Sequence, residues 1–243
     1  MRSETDDDTD PTQVTTMFVL IGLLLTLAAY AFASWLFTRS GHFPLLNPVL
    51  TATTLIIAVL WLSGLDYSRY MEGARYLSIL LGPATVALAV PIAMHGRTIK
   101  KRLRPIALTL ITSSLAAVVS SVGVAWIMGA DRSILVGLSV KAATMPIALE
   151  LASSLGGVIP LTAAFVFFTG ILGATIGPLI FKWMKLERDD VRGLAMGITS
   201  HAIGTATEFK HSQEAGSYAS LGMSLNGILT AIMIPVLFFL FFG

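Results

Sequence analysis

The sequence predicts an all-α fold: a polytopic membrane helix bundle of about eight membrane segments, with broken or re-entrant helices and internal repeats. Three observations predict it. Charged residues make up 12% of the 243, AVILMFWYC make up 55%, and the mean hydropathy is +0.79. A soluble domain carries about a quarter charged residues and leaves much of its surface in water, so it could not hide this much apolar area. Long uncharged runs recur along the chain, and small-residue segments repeat at a fixed spacing. This composition excludes a soluble enzyme, a nucleic-acid binder and a disordered chain.

Six runs contain no Asp, Glu, Lys or Arg: Met17–Phe37, Phe43–Ser63, Tyr76–Met94, Pro105–Ala130, Leu151–Phe181 and Ala215–Gly243. The shortest is 19 residues, enough to cross a hydrocarbon core of ~30 Å at ~1.5 Å per residue. Two further segments are apolar but interrupted: Ser133–Glu150 holds Lys141, and Gly193–Glu208 holds His201. Residues 1–14 form an acidic, solvated tail with Glu4, Asp6, Asp7, Asp8 and Asp10 against Arg2, and residues 15–243 form the transmembrane domain. The first run is not expected to be a cleaved signal peptide, because its flank is acidic and its apolar stretch is too long.

The net charge of +2 conceals a basic body. Its Lys and Arg gather in loops, not in a stripe interleaved with aromatics, so no nucleic-acid partner is expected. The absence of cysteine removes disulfides, thiolate chemistry and Cys-based metal sites. Two loops are strongly basic: 95–104, with Arg97, Lys100, Lys101, Arg102 and Arg104, and 182–192, with Lys182, Lys185, Arg188 and Arg192. The positive-inside rule places such loops in the cytoplasm. If all eight segments cross, the two loops fall on opposite faces and the rule conflicts with itself. Either a polar segment re-enters, or the second loop is translocated with its companions Glu187, Asp189 and Asp190.

Gly170–Phe181 aligns with Gly227–Phe238 at an offset of 57, with six of twelve positions identical. Upstream, Ala143–Glu150 faces His201–Glu208 at offset 58, and Ala84-Thr85 echoes Ala143-Thr144 at offset 59. The implied unit is one small-residue, Pro/Gly-rich segment followed by one clean span. In lipid, the backbone groups freed by a helix break must be satisfied inside protein or line a wet cavity. Interrupted segments at matching places in repeated units point to a transporter's substrate site, and helix N-termini exposed there favour an anion.

The substrate-binding candidates follow from that argument: Lys141, His201, Thr85, Thr144, Ser200, Thr205, Gly82, Pro83 and Gly204. Lys141 sits several residues from either end of its segment, where a charge costs about 2.5–3.5 kcal/mol on insertion scales. It reads as countercharge for a carboxylate, as a structural partner of Glu150, or as a side chain snorkelling to a surface. His201 reads as a proton carrier or hydrogen-bond donor, or equally as a packed, bonded histidine. The hydroxyl residues would bind substrate or pack helices. Glu150 and Glu208 end their segments and are expected at the interface, with coupling as the alternative. No nucleophile–base–orienter set, metal-ligand spacing or phosphate loop is visible, so no catalytic residue, cofactor or metal is expected, and the protein is not expected to be an enzyme.

Several runs carry a family resemblance: Phe43–Pro48, Leu81–Ala89, Lys141 with Pro146-Ile-Ala148, Thr169–Ala174, Arg192–Gly197 and Ser200–Ala206. Together they resemble the LrgB/CidB family over about residues 15–243. The resemblance implies a multi-pass protein of the cell membrane. It further implies an LrgA-like membrane partner, a homo-oligomer as one option and a small monocarboxylate cargo of the glycolate, glycerate or pyruvate class. The family is described in a second way, as holin- or antiholin-like proteins that modulate permeability, murein hydrolase export or lysis. This chain departs from the family pattern at Val140–Ala148, which lacks one Pro and one Thr, and at Thr207, where the family often has Arg. The missing cation implies either a shifted substrate or an anion-binding burden moved to Lys141.

Overall fold

The computed structural model describes residues 11–41, 43, 46–80, 83, 86, 87, 89–94 and 96–242; at 11–15, 89, 91, 92, 96, 98, 99 and 242 it describes the backbone alone. Among the described residues every regular element is a helix. The chain forms two compact units, residues 1–83 and 84–243.

The first unit holds α1 (Pro11–Arg39), α2 (Pro48–Ser63) and α3 (Tyr67–Ile79). Asn47 starts α2 by accepting the Val49 N–H at 2.9 Å with Pro48 behind it, and Gly64 ends it in the left-handed conformation at φ 64°. Asp66 caps α3 in the same way, through Ser68. Helices α1 and α3 meet backbone to backbone. A Cβ on Gly22 would sit 2.2 Å from the Tyr70 carbonyl oxygen, and one on Gly73 would sit 2.1 Å from that of Val19. Small residues permit this approach where lipid offers no hydrophobic drive between helices. The Thr26 and Tyr70 hydroxyls, 2.8 Å apart, bind across the same seam.

The second unit begins with two short helices, α4 (Ala89–Met94) and α5 (Gly96–Lys101). The uncharged run Tyr76–Met94 is therefore not one described helix: α3 stops at Ile79 and α4 starts at Ala89. The rest of the unit is α6 (Leu103–Ile127), α7 (Arg132–Ser139), α8 (Met145–Leu155), α9 (Ile159–Trp183), α10 (Asp189–His211) and α11 (Gln213–Phe242). By length and composition α1, α6, α9 and α11 can each cross a membrane. This is a multi-pass membrane protein.

The two polar segments do not cross. A straight 23-residue α10 would be about 34 Å long, yet its ends meet. Ser212 Oγ donates to Asp189 Oδ2 at 2.5 Å, His211 Nε2 lies 3.2 Å from Asp189 Oδ1, and Arg192 forms a two-point ion pair with Glu208. The reversal falls at His201, whose φ of 40° and ψ of −133° are not helical. So α10 is a hairpin: an arm of residues 189–200, a tip, and a return arm of 202–211. Helix α11 runs beside the first arm, with Gly193 against Ala215 and Gly197 against Ala219, and opposite to the second, with Phe209 against Gly216 and Thr205 against Met223.

Helices α7 and α8 form the other hairpin, with residues 140–144 as its tip. A Cβ on Gly157, just past α8, would lie 2.9 Å from Val136 of α7, so the chain comes back to where it entered. Each hairpin arm is about 12–18 Å long at 1.5 Å per residue, roughly half a hydrocarbon core. Val140, Ala143, Ala148 and Ala152 of this hairpin pack with Val166, Ile234 and Phe238.

The clash over the two basic loops is thereby settled. Arg102 Nη1 bonds Asp190 Oδ2 at 2.9 Å, so loops 95–104 and 182–192 share one face. Between them α6 crosses away, the α7–α8 hairpin dips in and returns, and α9 crosses back. The α10 hairpin enters from the basic face and the α7–α8 hairpin from the other. The repeat is therefore hairpin plus span, 132–183 and 189–242, with one crossing each and hence inverted topology. The count of about eight membrane segments is not confirmed, since four described helices are long and apolar enough to cross; the two interrupted segments take the re-entrant form. On the basic face, the hydrogen bond from Ser212 holds the Asp189 carboxyl below the usual carboxylate range, and the Arg188 guanidinium does the same for Asp190.

Candidate functional site

The two hairpin tips meet halfway along α9 and α11. Between them lies a cavity of about 150 Å³ lined by Ser113, Ser114, Ala117 and Val118 of α6, Leu138, Ser139, Lys141 and Ala142 around the first tip, Thr169 of α9, Ile198 and Thr199 near the second tip, and Asn226, Thr230 and Met233 of α11. Hydroxyl and aliphatic side chains alternate in its lining, with Ser113 and Ser114 beside Ala117 and Val118 on α6 and Thr230 beside Met233 on α11. Lys141 is its one cation, and no carboxylate among the described residues lies within 4 Å of that ammonium.

Asn226 ties the cavity together. Only 1% exposed, it uses all of its amide hydrogens. Its Nδ2 donates to the carbonyl of Ala142 in the first tip at 3.0 Å and to that of Ile198, just before the second tip, at 3.2 Å. Its Oδ1 accepts from Ser114 Oγ at 2.7 Å. In an unbroken helix the Ile198 carbonyl would take the N–H of residue 202; the break at His201 lies between them, and the amide supplies a donor. One side chain thus satisfies backbone groups in both broken segments, as a lipid-embedded break demands. Thr169 stands at the equivalent place in the other repeat, since the offset of 57 carries it onto Asn226, and both precede Gly-Ile-Leu.

The sequence candidates scatter around this cavity. Lys141 lines it. Thr144 lies in the same tip, 6% exposed, and its Oγ1 is the buried side-chain oxygen left without a partner among the described residues. His201 forms the second tip but does not line the cavity: its Nε2 sits 2.9 Å from the Val166 carbonyl oxygen, and its ring fills the space over Gly170. Ser200 is buried against Gly173 and lies 3.2 Å from the Thr199 hydroxyl. Thr205 donates to the His201 carbonyl at 2.8 Å, supporting the tip from the return arm. Gly204 lets the two arms close, since a Cβ there would fall 2.5 Å from that of Ser200. Gly82 and Thr85 lie outside the described residues, and Pro83 is exposed.

The two carboxylates part ways. Glu150 is exposed on α8 and is not ion-paired with Lys141. Glu208 stands at the mouth of the α10 hairpin, fully buried in protein and held by Arg192, itself stacked 5.3 Å from the centre of the Phe181 ring. Sequence reasoning missed Asn226, Thr169, Thr199, Thr230 and the serines of α6. Asn226 carried a signal, as the single amide in the run Ala215–Gly243, and buried polar residues in apolar spans mark function by default. A search for charges passes over it.

Comparison with known proteins identifies the family. The family model described as the LrgB-like family matches residues 26–240. A protein of Bacillus subtilis named YxaC is 36% identical over 222 residues, covering 91% of this chain and 96% of its own. The holin-like protein CidB of Staphylococcus epidermidis is 31% identical, covering 90% and 96%, and the antiholin-like protein LrgB of Bacillus subtilis is 30% identical, covering 91% and 96%. No solved structure matches.

Proposed function

The chain belongs to the LrgB-like family, and on that footing we propose that it is a secondary carrier, not an enzyme, for a small monocarboxylate of the glycolate, glycerate or pyruvate class, acting with an LrgA-like membrane partner. One observation carries the proposal: Lys141, a cation with no carboxylate partner among the described residues, lines a cavity between two re-entrant tips whose mainly apolar lining is studded with hydroxyls. Lys141 is half-buried; a charge within a membrane bundle without a partner is costly, and an incoming carboxylate relieves that cost. The cavity, about 150 Å³, corresponds to roughly five waters at ~30 Å³ each, the scale of a two- or three-carbon acid. Its hydroxyls suit the hydroxy or keto group, and its aliphatic side chains suit the short carbon chain. The inverted repeat suits alternating access, in which one repeat rocks against the other around a fixed site.

A second function is favoured by the relatives, whose names are holin-like and antiholin-like. In it the bundle controls permeability or lysis, and the cavity is structural. Reconstitution into vesicles, with and without an LrgA-like partner, separates the two. The carrier gives saturable uptake of labelled glycolate, glycerate or pyruvate that falls more than tenfold in Lys141→Ala. Leakage of unrelated solutes that never saturates sinks the carrier.

A further inference from the structure

Where α9 leaves the apolar layer it ends in a left-handed turn. Leu186 N–H returns to the Phe181 carbonyl at 2.8 Å and Lys185 N–H to that of Lys182 at 3.2 Å. Lys185 takes the φ of 52° that such a turn ordinarily reserves for glycine. That strained residue opens onto a second cavity, of about 340 Å³, lined by Pro178, Phe181, Lys182, Lys185, Leu186, Glu187, Arg192 and His211. Arg192 is committed to Glu208 and His211 to Asp189. Lys182 and Lys185 are exposed, and no carboxylate among the described residues is paired with either. Glu187 is the one acid at the rim.

On another flank, turned about 120° from Pro178 and bordered by Lys182, α9 carries an exposed apolar stripe: Phe168, Leu172, Ile176, Leu179 and Trp183, from 44% to 84% exposed. Spaced by threes and fours, these residues share one helix face, which ends at the level of Lys182 and Lys185. Trp183 is at the depth where tryptophan prefers the membrane–water boundary.

We propose that the Lys182–Lys185 cavity is a binding site for the phosphate of an anionic phospholipid, whose acyl chain lies along the stripe from Trp183 to Phe168. Two unpaired ammonium groups match a phosphodiester, and an exposed apolar stripe that ends on the flank next to Lys182 favours a lipid over a free anion. The site is independent of cargo at Lys141, which lies in a different cavity, and stands whether the protein is a carrier or not.

Native mass spectrometry and thermal melting of the full chain in detergent test this, with phosphatidylglycerol, phosphatidylcholine or inorganic phosphate added. Phosphatidylglycerol is expected to stay bound through detergent removal and to raise Tm, with occupancy at least fivefold above phosphatidylcholine. In K182Q/K185G that occupancy falls at least fivefold. K185G alone removes one cation while relieving the backbone, so its lipid-free Tm holds or rises as its lipid occupancy falls. Equal retention of both lipids overturns the proposal. So does K185G keeping full occupancy, or inorganic phosphate alone giving the same rise in Tm.

Discussion

A single amide decides how the two breaks are held. Replacing Asn226 with Ala strands the carbonyls of Ala142 and Ile198 and the hydroxyl of Ser114. Leaving buried groups unpaired is expected to destabilise the protein by about 2–3 kcal/mol, read as a lower midpoint of thermal unfolding in detergent. Arg192→Ala leaves Glu208 as an uncompensated buried charge, with an expected loss of about 3–5 kcal/mol in the same measurement. A loss under half a kilocalorie in either would show that water enters where the structure packs protein. His201 shows how far sequence reaches at this scale. Its place in a small-residue run marked a break, but a residue at φ 40° occupies backbone territory that costs of order 1–3 kcal/mol outside glycine. No local preference announces it; the contacts to Val166 and Thr205 over-determine it.

At the level of the helix, α10 reads as one amphipathic segment until its ends are compared. The chain has no cysteine, so the pair Asp189→Cys and Ser212→Cys gives a clean test. Oxidation is expected to close a disulfide within one molecule, seen as a shift on a non-reducing gel. A straight helix would hold the two about 34 Å apart and give none. The same mouth should loosen in acid. Both Asp189 and Asp190 have folded-state values below the ordinary carboxylate range, so their stabilisation is present above about pH 4. It is lost as pH falls through the folded values. Hydrogen exchange at residues 208–215 is expected to rise below pH 4 and not between pH 5 and 7. Pro and small residues made the interruptions legible in sequence; their sense of direction was not, because reversal depends on pairings such as Arg192 with Glu208, sixteen residues apart.

Across the whole transmembrane domain, the repeat offset was readable from Gly170–Phe181 and Gly227–Phe238, and the shared face of the two basic loops removes the conflict that the positive-inside rule raised. Crossing and re-entrant segments could not be told apart in sequence because hydropathy measures how apolar a segment is, and a hairpin of two half-length arms has the composition of one span. With both loops on one face, single cysteines at Lys100 and Lys185 are expected to react with an impermeant maleimide from the same side of sealed vesicles. Reaction from opposite sides would restore a crossing α7–α8 segment. The cavity itself was half legible: Lys141 was visible as a charge, while the hydroxyls drawn from α6, α9 and α11 were invisible among helix-packing serines and threonines.

One difference between the halves has a consequence of its own. The position filled by Asn226 in the later half is filled by Thr169 in the earlier, and a threonine hydroxyl has a single proton to give where the amide has two. In the proposed carrier, unlike pins in the two halves would bias the rocking motion to one side at rest. Giving both halves the same pin, with Thr169→Asn, would level that tilt, and exchanging the two would reverse it.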